Sequence, residues 1–319
     1  MGADLCPPLF QKGMEDMILK KLEESEDLKL FRELSLRMQL SDAENQYLSN
    51  MEKGYEGEQA FSNMLEKRSD DWLIINDLLL EHNNTRFQID TLLLQHNGIY
   101  LFEVKNYEGD FYVELDKWFQ KSGKEMKNPI LQLTRSESLL RQLFQELRIN
   151  IPKKAYVVFI NPEFTLYQAP RDLPVIFPSQ LNRFLEQLKN SSVKLNKKYL
   201  SFAEKLISLH QADNPYARVP EYDYERVGRG ITCEVCSSFI TSIKRDYIVC
   251  DVCGDKELID TAVIRNVYIF KRLFPNHKVT TNTIYEWCHI IPSNKTIRRI
   301  LSRNFIRKGQ GKYSYYVDC

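Results

Sequence analysis

Two apolar, extended segments joined by a tight turn are the strongest constraint on how this chain folds. Phe87–Leu94 and Gly98–Lys105 are rich in branched and aromatic residues, and His96-Asn97-Gly98 separates them. Asn-Gly is a strong short signal for a hairpin turn, so the two segments are predicted to pair as antiparallel strands. Trp72–Leu80 is of the same kind and is followed by the turn-type residues His82-Asn83-Asn84, which predicts a third strand.

Helices are predicted on both sides of these strands. Residues 14–50 carry apolar residues at three- and four-residue spacings, and Gly54–Glu58 is predicted to end that helical stretch before another begins at Ala60. Asn128-Pro129 starts a helix that runs to about Arg148. The other predicted elements are strands at 111–120, 155–160 and 175–177 and helices at 178–190 and 196–210. This order predicts an α/β fold, a mixed sheet flanked by helices.

Three residues capable of chemistry fall on the predicted hairpin: Asp90, Glu103 and Lys105. Residues two apart on a strand share a face, so Glu103 and Lys105 point the same way. Phe102 and Val104 then point into the other layer. The turn brings Asp90 toward Glu103, and a bound Mg²⁺ or Mn²⁺, which prefers hard oxygen ligands, would relieve the repulsion between the two carboxylates. The alternative for an isolated Glu-x-Lys is an ordinary exposed ion pair on a sheet.

The hairpin lies within an ordered series of short motifs. They are Gly54-Tyr55-Glu56-Gly57-Glu58, Gln88-Ile89-Asp90, the run from Gly98 to Gly109, Trp118, and Asn128-Pro129-Ile130-Leu131-Gln132. In this combination they resemble the NERD (nuclease-related) domain, a branch of the PD-(D/E)xK restriction-endonuclease-like superfamily. The resemblance covers residues 53–165 and implies a restriction-endonuclease-like fold. The proline that gives the superfamily its name is absent, because Gln88-Ile89 precedes Asp90.

The resemblance implies roles for particular residues. Asp90, Glu103 and Lys105 are expected to form the catalytic core of a nuclease, with Asp90 and Glu103 as ligands of a catalytic Mg²⁺ or Mn²⁺. Auxiliary catalytic groups are expected at Glu58, Gln88 and Gln132.

Several of the same residues also have an ordinary structural explanation. Glu58 follows Gly57 at a predicted helix start, where a carboxylate favours the helix dipole. Gln132 falls in the first turn of the following helix, where it either donates to a phosphate or only caps. Asn128 is predicted to be the N-cap of that helix. Gly54 and Gly57 are predicted to let the chain pass closely by the site.

Four of the seven cysteines form two Cys-x-x-Cys pairs, Cys233 with Cys236 and Cys250 with Cys253. This spacing suits one tetrahedral Zn²⁺ held by four thiolates, and such a closed site is structural. The alternative is a pair of redox dithiols, but no thioredoxin-like strand–helix–strand pattern surrounds them. A zinc ribbon is therefore predicted.

The C-terminal part is basic: residues 261–319 hold eleven basic and two acidic side chains. A helix at Thr280–Ile291, a turn and cap at Pro292-Ser293-Asn294, a second helix at Lys295–Arg303 and a hairpin at 304–317 follow one another. This order is typical of a winged helix. The residues predicted to bind nucleic acid are Lys295, Arg298, Arg299, Arg303, Arg307, Lys308 and Lys312. The alternative is a basic, solvated domain that contacts protein.

The predicted organisation has five parts: a helical segment at 1–52, a nuclease domain at 53–210, a linker at 211–230, the zinc ribbon at 231–257 and a winged-helix-like domain at 258–319. The first part is the segment through which a homo-oligomer is predicted to form. No stretch approaches the roughly 18 uncharged apolar residues of a membrane span, so no membrane partner is expected. Met1–Phe10 is too short and too broken by prolines for a signal peptide, which favours the cytoplasm.

Together these features predict a Mg²⁺- or Mn²⁺-dependent nuclease with a structural Zn²⁺, acting on nucleic acid, DNA in preference to RNA. Degradation of foreign DNA or DNA processing is suggested by analogy with the resembled family alone. Two other hypotheses stay open. One is a non-catalytic nucleic-acid-binding regulator on a nuclease fold, and the other is an adaptor protein.

Overall fold

A computed structural model describes residues 18–68, 72–189, 197–211 and 219–318, with only the backbone of Lys197 and Lys312. Packing divides the chain into two units. The first is Met1–Glu24 with Asn50–Tyr216, and the second is Ser25–Ser49 with Ala217–Cys319.

The described elements, in chain order, are β1 (Ile18–Lys20), α1 (Glu26–Arg37), α2 (Asp42–Glu66), β2 (Leu73–His82), β3 (Thr85–Gln95), β4 (Gly98–Lys105), β5 (Gly109–Glu114), β6 (Lys117–Gln120), β7 (Glu125–Met126), α3 (Pro129–Glu146), β8 (Lys153–Phe159), β9 (Phe164–Tyr167), β10 (Val175–Ile176), α4 (Pro178–Lys189), α5 (Lys197–Ser208), β11 (Ser242–Lys244), β12 (Tyr247–Val249), β13 (Lys256–Leu258), α6 (Ile259–Leu273), α7 (Thr281–Cys288), α8 (Asn294–Asn304), β14 (Ile306–Lys308) and β15 (Tyr315–Val317).

The central sheet of the first unit contains the predicted hairpin. Its strand order is β1-β2-β3-β4-β8-β10. Strands β2, β3 and β4 pair antiparallel, whereas β1, β8 and β10 join as parallel strands. Gln95 pairs with Gly98 across the turn at His96 and Asn97, as the sequence predicts. Helices cover both faces of this mixed sheet, so the predicted α/β fold class is confirmed.

The two faces of β4 are buried in different cores. Phe102 belongs to the core that contains residues of α2 and α4, and its ring lies 5.1 Å from that of Phe61. Leu101, one residue earlier, belongs to the core that contains residues of α3 and α5. Because side chains alternate along a strand, Glu103 and Lys105 lie on the face of Leu101, as the sequence pattern predicts.

A second sheet of the first unit has the order β7-β6-β5-β9. The sequence predicts one strand at 111–120, but this is wrong because a turn at Leu115 (φ 49°) and Asp116 (φ 62°) divides it into the β5–β6 hairpin. Leucine rarely adopts a left-handed backbone conformation, so the residue pattern does not predict this turn. Strand β5 pairs in parallel with β9, which the sequence analysis did not predict.

Two predictions for the N-terminal part are wrong. Helix is predicted throughout 14–50, but Ile18–Lys20 is a strand beside β2, and the part of that range before residue 18 lies outside the described residues. Gly54–Glu58 does not end a helix, because α2 continues through it. A glycine within a helix costs only about 1 kcal/mol. Full burial of Phe61 and Leu65 from the same helix offsets that cost.

Between Ser242 and Val317 the second unit contains a small three-stranded sheet, the helices α6, α7 and α8, and a terminal hairpin. Strands β11, β12 and β13 pair antiparallel. Helices α6, α7 and α8 pack on one another. Strands β14 and β15 form the hairpin, and Val279 bridges to Tyr316 beside it. Thr280 and Ser293 cap α7 and α8. This is the helix, helix, wing order of a winged helix.

Helix α1 and the described end of the expected linker are packed parts of the second unit. The apolar face of α1 is buried through Leu28, Leu30, Phe31 and Leu34. Gly228 donates a 2.8 Å hydrogen bond to the carbonyl of Arg37, and Val227 is buried. Residues 219–230 are therefore not a free linker, and 212–218 lie outside the described residues. An oligomer through residues 1–52 stays a prediction. No described helix is long and apolar enough to cross a membrane.

Candidate active site and metal centres

Three acidic residues stand in one row across the central sheet. The β2–β3 register on either side places Asp77 opposite Asp90, and Glu103 of β4 lies one residue beyond the last β3–β4 pair, Thr91 with Phe102. Residues directly opposite each other on paired strands are close neighbours, so this row concentrates negative charge in the middle of the sheet.

Asp90 lies where β3 and β4 separate. Thr91 and Phe102 are the last partner residues of these strands, although β4 continues beside β8 as far as Lys105. Oδ2 of Asp90 accepts a 2.7 Å hydrogen bond from the backbone N–H of Val104. The bond joins the two strands beyond their last pair and fixes the position of the carboxylate.

Glu103 and Lys105 form a close ion pair beside Asp90. Nζ of Lys105 lies 2.6 Å from Oε1 of Glu103 and donates to Oε1 of Gln132 at 3.2 Å. Glu103 is only 1% exposed. Asn128 caps α3 by accepting from the N–H of Ile130 at 2.9 Å, which confirms the predicted N-cap. Gln132 therefore bonds to Lys105 rather than capping the helix.

Burial and mutual repulsion shift the pKa values of these groups. Desolvation raises the pKa of Asp90, against the favourable charge of Lys105. Desolvation and then repulsion from Asp90 raise the pKa of Glu103 to about 7. Desolvation opposes the charge of Lys105, but attraction to Glu103 and Asp90 outweighs it and raises its pKa above the ordinary value. Lys105 is therefore an ammonium group, while Glu103 exchanges its proton near neutrality.

Glu58 approaches the row from α2. It stands well inside that helix, so an interaction with the dipole of a helix start does not explain it. Desolvation and then nearby carboxylates, Asp90 first, raise the pKa of Glu58 well above its ordinary value. Gly57 permits close packing here, because a Cβ in its place would lie 2.7 Å from Cβ of Asn106. A Cβ at Gly54 would meet nothing within 4 Å, so the predicted close passage is wrong for that glycine.

Asp77 also belongs to this cluster, although it is not among the residues predicted from the sequence. Its backbone is left-handed (φ 49°) in the middle of β2. The strand changes its alternation there, since Ile75, Leu78 and Leu80 all belong to the same core. Left-handed residues other than glycine are uncommon inside strands and concentrate at functional sites.

Gln88 contacts the cluster by a hydrogen bond to Asp77. Its Nε2 donates to Oδ1 of Asp77 at 2.8 Å, while Nζ of Lys20 donates to the Asp77 carbonyl at 2.7 Å. A signal for Asp77 existed in the sequence, because it is an acid inside the apolar run Trp72–Leu80. The same signal singled out Asp90.

The donors of this cluster suit a hard divalent cation. Two ammonium groups, of Lys20 and Lys105, oppose four carboxyl groups, of Glu58, Asp77, Asp90 and Glu103. Full ionisation would leave a net charge of −2, which one Mg²⁺ or Mn²⁺ would neutralise. In the described residues these carboxylates do not form a group of three within 4.8 Å. A cation held by fewer than three of them would need water and substrate oxygens to complete its shell.

Residues 53–160 match the family described as NERD, nuclease-related domain. The first unit carries a nuclease-related domain. The match covers 108 of the 319 residues and includes Asp77, Asp90, Glu103, Lys105 and Gln132. It confirms the resemblance predicted from the ordered motifs, and with it a nuclease-related function for this region.

Comparisons with whole proteins add little to the nuclease-related domain. No curated protein matches the chain. The small subunit of the heterodimeric restriction endonuclease R.BspD6I is similar at 13% identity over 59% of this chain and 90% of that one. Its TM-score of 0.26 is too low to support an inference about this chain.

A second candidate metal centre lies in the second unit. The Sγ atoms of Cys233, Cys236, Cys250 and Cys253 lie within 4.8 Å of one another. The two pairs share one turn geometry: the N–H of Ser237 bonds to the carbonyl of Cys233, and that of Gly254 to Cys250. Ser237 and Gly254 are both left-handed. Four convergent thiols can hold a metal ion, and their spacing suits Zn²⁺.

The basic residues of the second unit lie on α8 and the terminal hairpin. Exposed side chains are those of Lys295, Arg298, Arg299, Arg303, Arg307 and Lys308, while the side chain of Lys312 lies outside the described residues. Arg299 bonds to Asp260 at 2.7 Å, and Arg307 bonds to the Ser314 hydroxyl at 3.1 Å. The six described residues are therefore not equally available to a partner.

Proposed function

We propose that this chain is a metal-dependent nuclease that hydrolyses phosphodiester bonds with Mg²⁺ or Mn²⁺. The observation that carries the proposal is the meeting of Asp90, Glu103 and Lys105 at one fork of the central sheet, within the nuclease-related domain. Buried acids beside a half-buried lysine are unfavourable to assemble, and a catalytic site explains why they are together.

Hydrolysis joins the oxygen of water to phosphorus and breaks one phosphorus–oxygen ester bond, so negative charge builds up around phosphorus and on the leaving oxygen. A cation held by Asp90 and Glu103 would lower the pKa of water and neutralise that charge. Lys105 orients the water and offsets charge on the phosphoryl oxygens. Its raised pKa makes it a charge stabiliser rather than a base that takes a proton.

The auxiliary groups position this core. Gln132 bonds directly to Lys105 and so fixes the direction of its ammonium group. Gln88 bonds to Asp77, the neighbour of Asp90 in the row. Glu58 adds a fourth carboxyl from α2 and increases the demand for a cation. We assign these three residues positioning and electrostatic roles.

The second unit would bind the nucleic acid. In a winged helix the second helix lies in the major groove, and α8 occupies that position in the element order. The arginines of α8 are exposed to solvent. We favour DNA over RNA because the deep, narrow major groove of A-form RNA does not admit such a helix. The cysteine cluster with its Zn²⁺ would brace this unit, since four thiolates leave no open position for catalysis.

The test is cleavage of plasmid and single-stranded DNA without metal, with Mg²⁺ and with Mn²⁺. We expect metal-dependent cleavage that falls roughly 10²- to 10⁴-fold in Asp90→Asn and in Lys105→Ala. Glu81→Gln is the matched control, because Glu81 is an exposed acid of the same sheet that pairs with Arg86. If wild type cuts no better than Asp90→Asn on DNA and RNA, the chain is not a nuclease. Retained, salt-sensitive DNA binding would then favour a regulator, and no binding would favour an adaptor.

A further inference from the structure

The β5–β6 hairpin of the nuclease-related domain has a tip that is unfavourable for folding. Leu115 and Asp116 are both left-handed, a geometry that favours Asn-Gly or Asp-Gly. Leu115 is also 91% exposed, so its side chain contributes nothing to a core. Asn83 and Asn84, which join β2 to β3, have the same left-handed geometry with residues that tolerate it. A strained and exposed leucine indicates a function that outweighs stability.

One face of this hairpin carries a row of aromatic side chains. Tyr112 of β5 is the partner of Phe119 in β6 and of Tyr167 in β9. The rings of Tyr112 and Phe119 stack with centroids 5.2 Å apart and planes inclined by 17°. Tyr167 is 52% exposed, whereas Phe111 and Trp118 on the opposite face are buried. Tyr112 and Phe119 are half-buried, so Tyr167 is the ring of the row that is most available to a flat ligand.

Lysines and acids both lie around the aromatic row. Between residues 109 and 127 there are four exposed lysines, Lys117, Lys121, Lys124 and Lys127, and four acids, Asp110, Glu114, Asp116 and Glu125. Lys117 pairs with Glu125 and Lys121 with Asp110, whereas Lys124 and Lys127 belong to no ion pair of the described residues. Stacking rings together with such lysines are the features by which proteins hold the bases and phosphates of single strands.

The hairpin is anchored next to the proposed active site. On its inner face, the ring of Trp118 stacks on that of Phe159, with centroids 5.8 Å apart. Phe159 is the partner residue of Lys105 in the central sheet. The inner face of the hairpin is therefore anchored to the strand that pairs with β4 at Lys105.

The tip of the hairpin is tied to the helix that supplies Gln132. Nδ2 of Asn128, the N-cap of α3, donates to the carbonyl of Asp116 at 3.2 Å. The first turn of α3 presents Leu131, which is 68% exposed, beside Gln132. Two exposed leucines, Leu115 and Leu131, thus belong to two elements joined through one asparagine.

We propose that the β5–β6 hairpin is a substrate arm that holds unpaired bases of DNA. Leu115 inserts beside a base, the row of Phe119, Tyr112 and Tyr167 stacks on its neighbours, and the lysines follow the phosphates. Bases in a duplex are already stacked and shielded, so these rings select single-stranded or locally opened DNA. The inference rests on the proposed nuclease function and names its substrate class.

The first test replaces the turn by the residues that its geometry favours, Leu115→Asn with Asp116→Gly. Binding of a labelled single strand of about 20 nucleotides, and of its blunt duplex, is measured by fluorescence anisotropy in EDTA. The full chain carries Arg298→Ala and Arg303→Ala throughout, so that α8 does not mask the effect. We expect at least about fivefold weaker single-strand binding, less than twofold change for the duplex, and an unchanged or higher melting temperature.

Asn84→Gly is the matched control, because it improves the other left-handed turn of the same domain. It should leave both affinities unchanged. Tyr167→Leu should weaken single-strand binding at least about fivefold, whereas Tyr167→Phe, which keeps the ring, should restore it to within twofold.

The inference is overturned if the turn and Tyr167→Leu variants bind the single strand within twofold of the parent chain. Equal weakening for single strand and duplex also overturns it, because the hairpin would then contact phosphates only. So does a changed oligomeric state with unchanged DNA affinity, which would mark a protein-docking surface. Binding in EDTA is independent of cleavage. A chain that binds through the arm but never cuts would refute the nuclease proposal alone.

Discussion

The two candidate metal centres of this chain are built in opposite ways. The cysteine cluster takes all its ligands from two turns between Cys233 and Cys253, and both turns have the same backbone geometry. The carboxylate cluster takes its members from β1, β2, β3, β4, α2 and α3, so residues from Lys20 to Gln132 contribute. A centre made of local turns is encoded by spacing, whereas one made across a sheet depends on strand register.

The difference extends to folding. Four thiols around a metal would tie two turns together, so we expect metal binding and folding of the small sheet to be coupled. The carboxylate cluster lies in a sheet whose two large apolar cores hold it without a metal. Its charges oppose folding, since burial raises the pKa of Asp90, Glu103 and Glu58. We expect the cysteine cluster to stabilise the second unit when metal is bound. We expect the carboxylate cluster to depend on the packing of the first unit instead.

The largest effect should come from Cys250→Ser. Loss of one thiolate should release the Zn²⁺ and unfold the small sheet, because zinc contributes roughly 10 kcal/mol or more in small zinc domains. Bound zinc after purification and thermal unfolding measure this. Cys288→Ala is the control and should keep the metal, since Cys288 lies outside the cluster. If wild type is purified without metal and unfolds at the same temperature as Cys250→Ser, the cysteine cluster is not a zinc centre.

A smaller effect concerns pH. The pKa of Glu103 in the folded chain is about 7, above its ordinary value of 4.5, so the folded state binds this proton more tightly. The resulting stability is present below about pH 4.5 and is lost as pH rises through 7, by up to about 3 kcal/mol. Denaturant unfolding of the first unit in EDTA from pH 5 to 8 measures it.

Glu103→Gln should flatten that pH dependence, and Mg²⁺ or Mn²⁺ should stabilise wild type more at pH 8 than at pH 6. The cysteine cluster should respond with the opposite sign, because acid protonates its thiolates and releases zinc. A first unit that gains stability between pH 5 and 8 in EDTA would contradict the burial argument for Glu103.

Asp77→Asn tests whether the sheet-borne cluster extends beyond the predicted core. Asparagine tolerates the left-handed backbone, so the bend of β2 is kept while one negative charge is lost. We expect roughly tenfold slower cleavage and a changed pH–rate profile, because Asp77 acts on the pKa of Glu58 and Asp90. Glu81→Gln is the control, an exposed acid of the same strand that pairs with Arg86. Equal rates and pH profiles for Asp77→Asn and wild type would limit the site to the predicted residues.

The smallest expected effect distinguishes two neighbours on α8. Arg298 is exposed, whereas Arg299 bonds to Asp260. Arg298→Ala should reduce the salt slope of DNA binding by about one, and Arg299→Ala by less. Anisotropy titrations between 50 and 200 mM salt, about the range in which phosphate contacts are lost, provide the comparison. Identical slopes for both variants and wild type would mean that α8 does not contact DNA.

Much of the candidate site was accessible from the sequence because strand alternation and one Asn-Gly turn are local rules. They placed Glu103 and Lys105 on one face and turned Asp90 toward them, and the sheet register agrees. Cys-x-x-Cys spacing predicted the cysteine cluster for the same reason. Asn128 was predicted as a cap because capping involves only its immediate neighbours.

Other features required the tertiary structure. The pairing register of β2 and β3 places Asp77 opposite Asp90. Gln88 contacts the site by its hydrogen bond to Asp77. The β5–β6 turn was missed because a left-handed leucine breaks the local preference. Helix α2 passes through Gly54 and Gly57, since burial of its apolar face outweighs the weak helix propensity of glycine.

The sequence by itself determined the chemistry of this protein: the acids, the lysine and the cysteines, and which of them share a turn or a strand face. The tertiary structure alone decided which distant residues complete the carboxylate row, and that the strained leucine hairpin is anchored beside Lys105. The physical reason is range. Alternation, capping and ligand spacing act over a few residues, whereas buried charges interact with whatever the packing of the whole sheet brings near them.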